Sequence, residues 1–405
     1  MKKRVVVTGV GIISSIGQGK AAFWENVIKG TSGITKISSW DTTGFKCQYG
    51  GEIHDFSPAE YISRRRIQFL GRTSQLAVAA SKLALEDAQV QTAMLTKYKA
   101  GVLIGTTVGE RPMEELMETW ARSGLDEIRR KKISQATANN IPANVGIEFK
   151  TRGLNCLIPT ACAAGNYSVG YGLDLIKNGD LNFALAGGAE AFSRIAYAGF
   201  QRLYAMSPDR CQPFDKNRKG ILLGEGSAML FLESLDSALK RKVPMYAEVL
   251  GYGMSCDAHH VTAPHPEGVA KAMRRALHDS NISAQDVDYI CAHGTGTPMN
   301  DKIESQAIKD VFGEHARKVA VSSIKSMIGH TLGAASAIEA GVCCLAIKEG
   351  IIPPTINFQT PDPECDIDCV PNKARKANLK VVLNNGFAFG GNNCCVVFAD
   401  VHSRE

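Results

Sequence analysis

Two stretches of this sequence are too apolar to sit on a surface. Residues 162–177 are rich in Ala and Gly and apolar nearly all round, and residues 332–348 carry Ala335, Ile338, Val342, Leu345 and Ile347. A helix of that kind is buried, so the rest of the chain must enclose both. Short apolar runs that read as strands lie at 4–9, 101–105, 183–187, 228–232, 247–251, 289–292, 319–322, 381–385 and 394–398. Between them run amphipathic stretches, such as 73–87, with Leu76, Ala80, Leu83 and Ala84 on one face, and 269–278. Strands alternating with helices predict an α/β protein whose mixed sheets are layered with helices. The two buried helices also resemble each other. The first ends Ile176-Lys177-Asn178-Gly179 and the second Ile347-Lys348-Glu349-Gly350, 171 positions later, and each is preceded by a reactive side chain, Cys162 or His330. The pattern predicts a duplication, with its boundary near 240–244.

A chain of 405 residues, 44% hydrophobic and 21% charged, can bury a large core without disulfides or metal. That composition excludes a disordered tail, a collagen-like fibre and a multispan membrane protein. Lys and Arg number 46 and Asp and Glu 40, for a net charge of +6. The excess is too small and dispersed for a nucleic-acid partner, but it allows a local basic patch for an acidic one. No apolar run reaches membrane-spanning length without a polar interruption. The apolar stretch after Met1-Lys2-Lys3-Arg4 is too short for a signal peptide, so the expected location is the cytoplasm. The twelve cysteines include no Cys-x2-Cys pair, and Cys365 and Cys369 have no second pair to complete a zinc site. His259, His260 and His265 also lack completing ligands. No metal is expected, and most cysteines read as small buried hydrophobes in a reducing compartment.

Three constellations can carry chemistry. Cys162, in Pro159-Thr160-Ala161-Cys162-Ala163-Ala164-Gly165, opens a buried helix. Unpaired N–H groups and the helix dipole there favour a thiolate, the nucleophilic form, and the small neighbours leave room for a substrate. The plain alternative is a cysteine packed on a sheet. His293-Gly294-Thr295-Gly296-Thr297-Pro298 follows a strand, where α/β proteins place reactive side chains. Thr295 and Thr297 can hold an amide-bearing chain or simply cap a helix. In 322–330, Lys325 and His330 stand five residues apart beside a helix N-terminus, a costly pair to bury without purpose. Glu339 in the following helix is placed to pair with Lys325, and a neutral His330 would hydrogen-bond a developing oxyanion. A fourth segment, 385–393, ends a strand in a Gly-rich turn that can aim a backbone N–H into a site, gated by Phe387 or Phe389, or else is a plain hairpin.

Taken together these segments resemble the elongating β-ketoacyl-acyl-carrier-protein synthases of the synthase II type, in the thiolase-like superfamily. The resemblance runs along essentially the whole chain, through Val5-Val6-Val7-Thr8-Gly9, Ala186-Gly187-Gly188-Ala189-Glu190, Pro213-Phe214-Asp215-Lys216, Ile351-Ile352-Pro353-Pro354-Thr355 and Phe389-Gly390-Gly391. It implies a thiolase-like fold of two duplicated halves layered αβαβα. Residues 1–242 would carry the nucleophilic cysteine, and residues 243–405 the two histidines and the lysine. It further implies that Cys162 accepts an acyl group from a carrier-protein thioester. His293 and His330 would stabilise the enolate formed when a malonyl thioester loses carbon dioxide. The N–H groups of Cys162 and Phe389 would form the oxyanion hole. Lys325, tied to Glu339, would tune the electrostatics, and Thr295 and Thr297 would hold the phosphopantetheine arm. That arm belongs to the carrier protein, so no cofactor is implied. Arg64, Arg65, Arg66, Arg129, Arg130, Lys131, Lys132 and Arg210 become candidate docking charges for an acidic acyl carrier protein.

The departures from the family pattern concern the substrate. Ala388 and Asn392 stand where Gly and Thr are usual, Val108 replaces a larger aliphatic, and 134–140 lacks a bulky aromatic pair. Ala388 should restrict the gating loop if that loop needs a positive φ. A wider acyl tunnel, lined by Val108 and 134–140, would suit a polyketide chain. The reading leans to type II polyketide assembly, with fatty-acid elongation as the alternative. A dimer is expected, either of two copies or with a chain-length-factor homologue. Intact Cys162, His293 and His330 argue against this chain being that non-catalytic partner itself, and no second active-site cysteine marks a thiolase-type degradative enzyme.

Overall fold

The computed structural model describes residues 3–403; Met1 and Lys2, at the charged N-terminus, lie outside them. Ten strands carry the architecture: β1 (Val5–Ser14), β2 (Ala100–Gly105), β3 (Asn155–Ile158), β4 (Phe183–Glu190), β5 (Gly226–Ser234), β6 (Ala247–Cys256), β7 (Tyr289–Cys291), β8 (Ala320–Ser322), β9 (Val381–Phe387) and β10 (Asn392–Ala399). Their spatial order is β3-β2-β4-β5-β1-β6-β10-β9-β7-β8, with the two-residue strand Gly17–Gln18 beside β1. The order repeats. Each of β1 to β5 has its counterpart five strands later, and the parallel and antiparallel pairings match as well: β2 runs parallel to β3 and β4, and β7 parallel to β8 and β9. Among the described strands, the halves pair where Val6 meets Glu248 and Val7 meets Ala247. The sheet is therefore two five-stranded sheets joined along one short edge. The expected duplication is present in topology as well as in the two helix ends.

Six helices repeat in the same way: α1 (Arg72–Asp87), α2 (Asn140–Phe149) and α3 (Ala164–Asn178), then α4 (Pro266–Ser280), α5 (Pro298–Phe312) and α6 (Ala335–Glu349). α1 packs on β1, β4 and β5, and α4 packs on β6 and β10. α3 and α6 pack against one another and touch both sheets, which makes them the middle of five layers. Every residue of α6 from Ala335 to Ala346 is buried, as its unbroken apolar surface requires. No helix among the described residues is long and apolar enough to cross a membrane. All twelve cysteines are free and ten are buried.

Close approach of helix to strand explains two glycines. A Cβ on Gly11 of β1 would overlap the carbonyl oxygen of Ala80 in α1, and one on Gly253 of β6 would overlap the backbone of Ala272 and Ala276 in α4. Gly11→Ala is expected to destabilise the protein by about 3 kcal/mol, the upper part of the overpacking range, because backbone cannot yield as a side chain can. The urea unfolding midpoint measures this; an unchanged midpoint would show that α1 shifts freely on the sheet.

Two elements escape the sequence pattern. β3 is short, begins at an exposed Asn155 and forms the outer edge, so it has no alternation to read. α2 contains Pro142 and Gly146, poor helix formers, yet it is held by packing of Ile141, Val145 and Phe149 against the core.

Candidate active site

The reactive side chains converge from the C-terminal ends of strands in both halves. Cys162 occupies the 3-10 turn Ala161–Ala163, which leads into α3, and the matching turn Leu332–Ala334 leads into α6 just after His330. Each turn opens on a non-glycine residue with positive φ, Ala161 at 49° and Leu332 at 48°. Such a conformation is held only by the surrounding packing. It puts Cys162 and His330 at the ends of the two central helices. The turn after β7 supplies His293, and the hairpin between β9 and β10 supplies Phe387 and Phe389.

Buried polar anchors hold these side chains. Glu304 of α5 accepts the N–H of His293 at 2.8 Å, that of Gly294 at 2.7 Å and the amide of Asn385 at 3.1 Å. The Ser323 hydroxyl donates to the Gly294 carbonyl at 2.6 Å. Glu304 was not anticipated from the sequence, although Asn300, Asp301, Glu304 and Ser305 form a polar face on α5 that turns inward. The expected pair of Lys325 with Glu339 is formed, both side chains fully buried. Burial pushes the Glu339 carboxyl up to about 7, against the pull of Lys325.

The thiol, the two imidazoles and two backbone donors form one cluster. The Cys162 sulfur and ring nitrogens of His293 and His330 lie within 4.8 Å of one another. The N–H groups of Cys162 and Phe389 both face the sulfur. The Leu332 N–H donates to His330 Nδ1 at 3.1 Å. That bond puts the ring hydrogen on Nε2, so His330 presents a donor to the site. A metal needs a lone pair at that nitrogen, so the donor set does not fit a metal ion. Burial, reinforced by Lys325, holds both imidazoles well below 6.5 and therefore neutral.

The expected thiolate is corrected. Burial pushes the Cys162 thiol up to about 12, Glu190 raises it further, and Lys325 and the two N–H groups pull it down without prevailing. The turn's exposed N–H groups are present, but desolvation outweighs them. The resting residue is a thiol.

The cluster lies in a cavity of about 540 Å³ lined also by Thr295, Thr297, Phe387 and Phe389. The hydroxyls of Thr295 and Thr297 are 2.9 Å apart, and Thr297 also caps α5 through the Asn300 N–H. Both of its expected roles are therefore compatible. Phe387 packs against the His293 ring at 5.8 Å, and Phe389 stacks on Phe200 at 5.5 Å. Ala388 is extended, with φ −125°, and the positive φ values fall on Gly390 and Gly391. The expected restriction at Ala388 is therefore absent.

Other expected residues lie apart from the cavity. Val108 is exposed at 37%, its N–H bound to Glu190, and 134–140 is half-buried to exposed, with only Ala136 buried; neither lines the cavity. The tunnel wall expected from them is not closed by this chain alone. The two basic clusters do converge. Lys131 Nζ reaches Gln68 Oε1 at 2.7 Å and Gln135 reaches the Gln68 carbonyl at 2.7 Å, which joins the segments carrying Arg64, Arg65, Arg66, Arg129, Arg130 and Lys132. Within that surface Arg66 pairs with Glu148 and Lys132 with Glu115. Arg210 pairs with its neighbour Asp209.

Both imidazoles are expected to stay neutral from pH 8 down to about 6.5, because a ring is uncharged above its own pKa and both lie below 6.5. The ring-proton shifts of His293 and His330 followed by NMR across that range measure it, and a shift with its midpoint near pH 7 would mean that one ring titrates there.

Residues 2–238 match the beta-ketoacyl synthase N-terminal domain and residues 246–359 the beta-ketoacyl synthase C-terminal domain. The chain is 40% identical over 407 residues to a 3-oxoacyl-(acyl-carrier-protein) synthase 2 of Synechocystis sp., covering 98% of both chains. Among solved structures, it superposes on the ishigamide ketosynthase/chain length factor with TM-score 0.96 and 44% identity, over 98% of this chain and 99% of that one. It also superposes on a type II PKS ketosynthase bound to the hexaketide, in complex with its acyl-carrier protein, with TM-score 0.91 and 33% identity over 99% and 100% of the two chains.

Proposed function

Because this chain belongs to the beta-ketoacyl synthase family, an acyltransferase that forms carbon–carbon bonds between carrier-bound acyl groups, we propose that Cys162, His293 and His330 are its reacting side chains and that it serves type II polyketide assembly. The observation that carries the first part is the single cluster of thiol, neutral imidazoles and paired N–H donors.

In the first half-reaction Cys162 Sγ attacks the acyl thioester of the carrier protein. The N–H groups of Cys162 and Phe389 hold the developing oxyanion. The pantetheine sulfur leaves, and the thiol's proton ends on it. Since the Cys162 thiol is raised to about 12, that proton departs only in step with the incoming thioester. In the second half-reaction a malonyl thioester lies along Thr295 and Thr297. Its carboxylate leaves as carbon dioxide, and the bonding pair stays behind as an enolate. His330 Nε2–H and His293 hold the enolate oxygen. The enolate carbon attacks the Cys162 thioester, the sulfur leaves and takes a proton from solvent, and the carrier bears a chain two carbons longer.

The polyketide reading is supported by 44% identity to the ishigamide ketosynthase/chain length factor over nearly the whole chain. Fatty-acid elongation is the second reading, supported by 40% identity to the Synechocystis synthase 2. A paired subunit is supported by β3, an edge strand with one neighbour, flanked by exposed Leu154, Ile147 and Val108. Unpaired edges with apolar side chains are completed by another chain. An acidic acyl carrier protein would meet the joined Arg64–66 and 129–132 surface.

The test loads the protein from saturated and from β-keto or polyene acyl carriers and reads intact mass, with and without a chain-length-factor homologue. Preference for the unsaturated or keto chains supports polyketide use. Preference for saturated chains by the protein alone would replace that reading with fatty-acid elongation.

A further inference from the structure

Glu190, at the end of β4, is fully buried and touches none of the reacting groups named above. Its carboxylate accepts the Thr106 hydroxyl at 3.0 Å, the Thr107 N–H at 2.6 Å, the Val108 N–H at 3.1 Å and the Gly333 N–H at 3.0 Å. These donors come from two separate segments, the loop after β2 and the turn after His330. Burial pushes the Glu190 carboxyl above its usual range, and the four donors on its two oxygens oppose that shift and favour the anion.

The fold's internal repeat gives this contact meaning. Cys162 and Gly333 are the middle residues of the two matching 3-10 turns, each just after a residue of positive φ. In the first half the N–H of Cys162 faces its own sulfur and is free for an oxyanion. In the second half the corresponding N–H is occupied by Glu190. Gly333 presses on the Thr106 backbone so closely that a Cβ would overlap it. The two segments therefore have one seating, and the carboxylate is its clamp.

We propose that Glu190 is a positioning residue that locks the turn following His330 against the loop after β2, and so fixes the place of His330 relative to Cys162. The inference rests on the roles assigned above to those two residues. The charge on Glu190 also acts on Cys162, opposing the thiolate, while Lys325 acts in the other direction. The groups around the thiol are thus Glu190, Lys325, His293 and His330, with Glu110 facing Glu190 from the segment after the loop.

Two substitutions separate reach from charge. Glu190→Asp keeps the charge but cannot span both segments. Glu190→Gln keeps the length but loses the charge, and offers an NH2 group to N–H donors. Carbon dioxide release from malonyl-loaded carrier protein reads the placement of His330, and iodoacetamide alkylation of Cys162 across pH reads the charge. Decarboxylation is expected to fall roughly a hundred-fold in both, the usual cost of misplacing a group by about 1 Å. Alkylation at pH 8 is expected to rise in Glu190→Gln, because the charge that opposes the thiolate is gone, and to hold in Glu190→Asp. Alkylation reports the thiol whatever its role, so it stands apart from the catalytic assignment. Thr106→Val, which takes the hydroxyl away from Glu190 and from the Gly109 N–H without adding a charge, serves if either variant fails to fold, and should lower decarboxylation at temperatures where the variant is still fully folded. Unaltered decarboxylation in the folded variants overturns the proposal. So does a loss of decarboxylation that only follows falling melting temperatures with no movement of the Glu190→Gln alkylation profile.

Discussion

Cys162→Ala is expected to abolish acyl loading while leaving malonyl decarboxylation in place. The sulfur is the sole group in the cluster able to carry an acyl chain, so condensation should fall on the order of 10⁴-fold or more. His293 and His330 are untouched by the change. His293 is held through its backbone by Glu304, and His330 is oriented by the Leu332 N–H, neither of which involves the thiol. Intact mass after incubation with acyl-carrier protein reads the first effect, and carbon dioxide release from malonyl-carrier protein reads the second. Acyl adducts persisting in the variant would assign the nucleophile elsewhere. Loss of both activities together would mean that the enolate is held by Cys162 as well as by the imidazoles.

Lys325→Met is expected to cost about 3–5 kcal/mol of stability, the range for removing one partner of a buried ion pair. Glu339 would then keep a carboxyl in the core with no cation beside it, and its Oε2 already lacks a protein hydrogen-bond partner. The double variant Lys325→Met with Glu339→Gln should recover much of that loss, because two neutral groups of similar volume suit the same space. It should not recover the rate of acyl loading. Lys325 is the cation that pulls the Cys162 thiol down, and without it the thiol lies further from its reactive form. Urea midpoints and loading rates on the three proteins separate the two roles. A double variant that loads at the parent rate would leave Lys325 with a structural role alone.

The parts of this protein that follow from local pattern were legible before any coordinates. The two apolar helices announce a buried middle layer, because nearly every face of each is apolar, although Tyr171 on α3 reaches the surface. The apolar runs mark nine of the ten main strands. Cys162, His293 and His330 stand out because each follows a short element and sits among glycines and small residues, where a reactive side chain has space. Lys325 and Glu339 pair as their spacing suggested.

The remainder depends on partners that only the closed fold brings together. β3 and α2 carry sequences with weak local preference, and they exist because β2, α1 and the core hold them. Glu304 and Glu190 are ordinary acidic residues until the fold closes over them and brings the backbone N–H groups of His293, Gly294, Thr107, Val108 and Gly333 to their oxygens. The ionisation of Cys162 is the clearest case. Its position beside exposed N–H groups argues for a thiolate, and that argument holds as far as the turn extends. Burial then strips most of the water from the sulfur, and desolvation is a property of the whole enclosure, built by both halves of the duplication. Residue identity and spacing determined which groups this protein brings to its chemistry. Only the tertiary structure decided their protonation, their aim and their anchors, because those depend on what excludes solvent and what supplies hydrogen bonds from a hundred residues away.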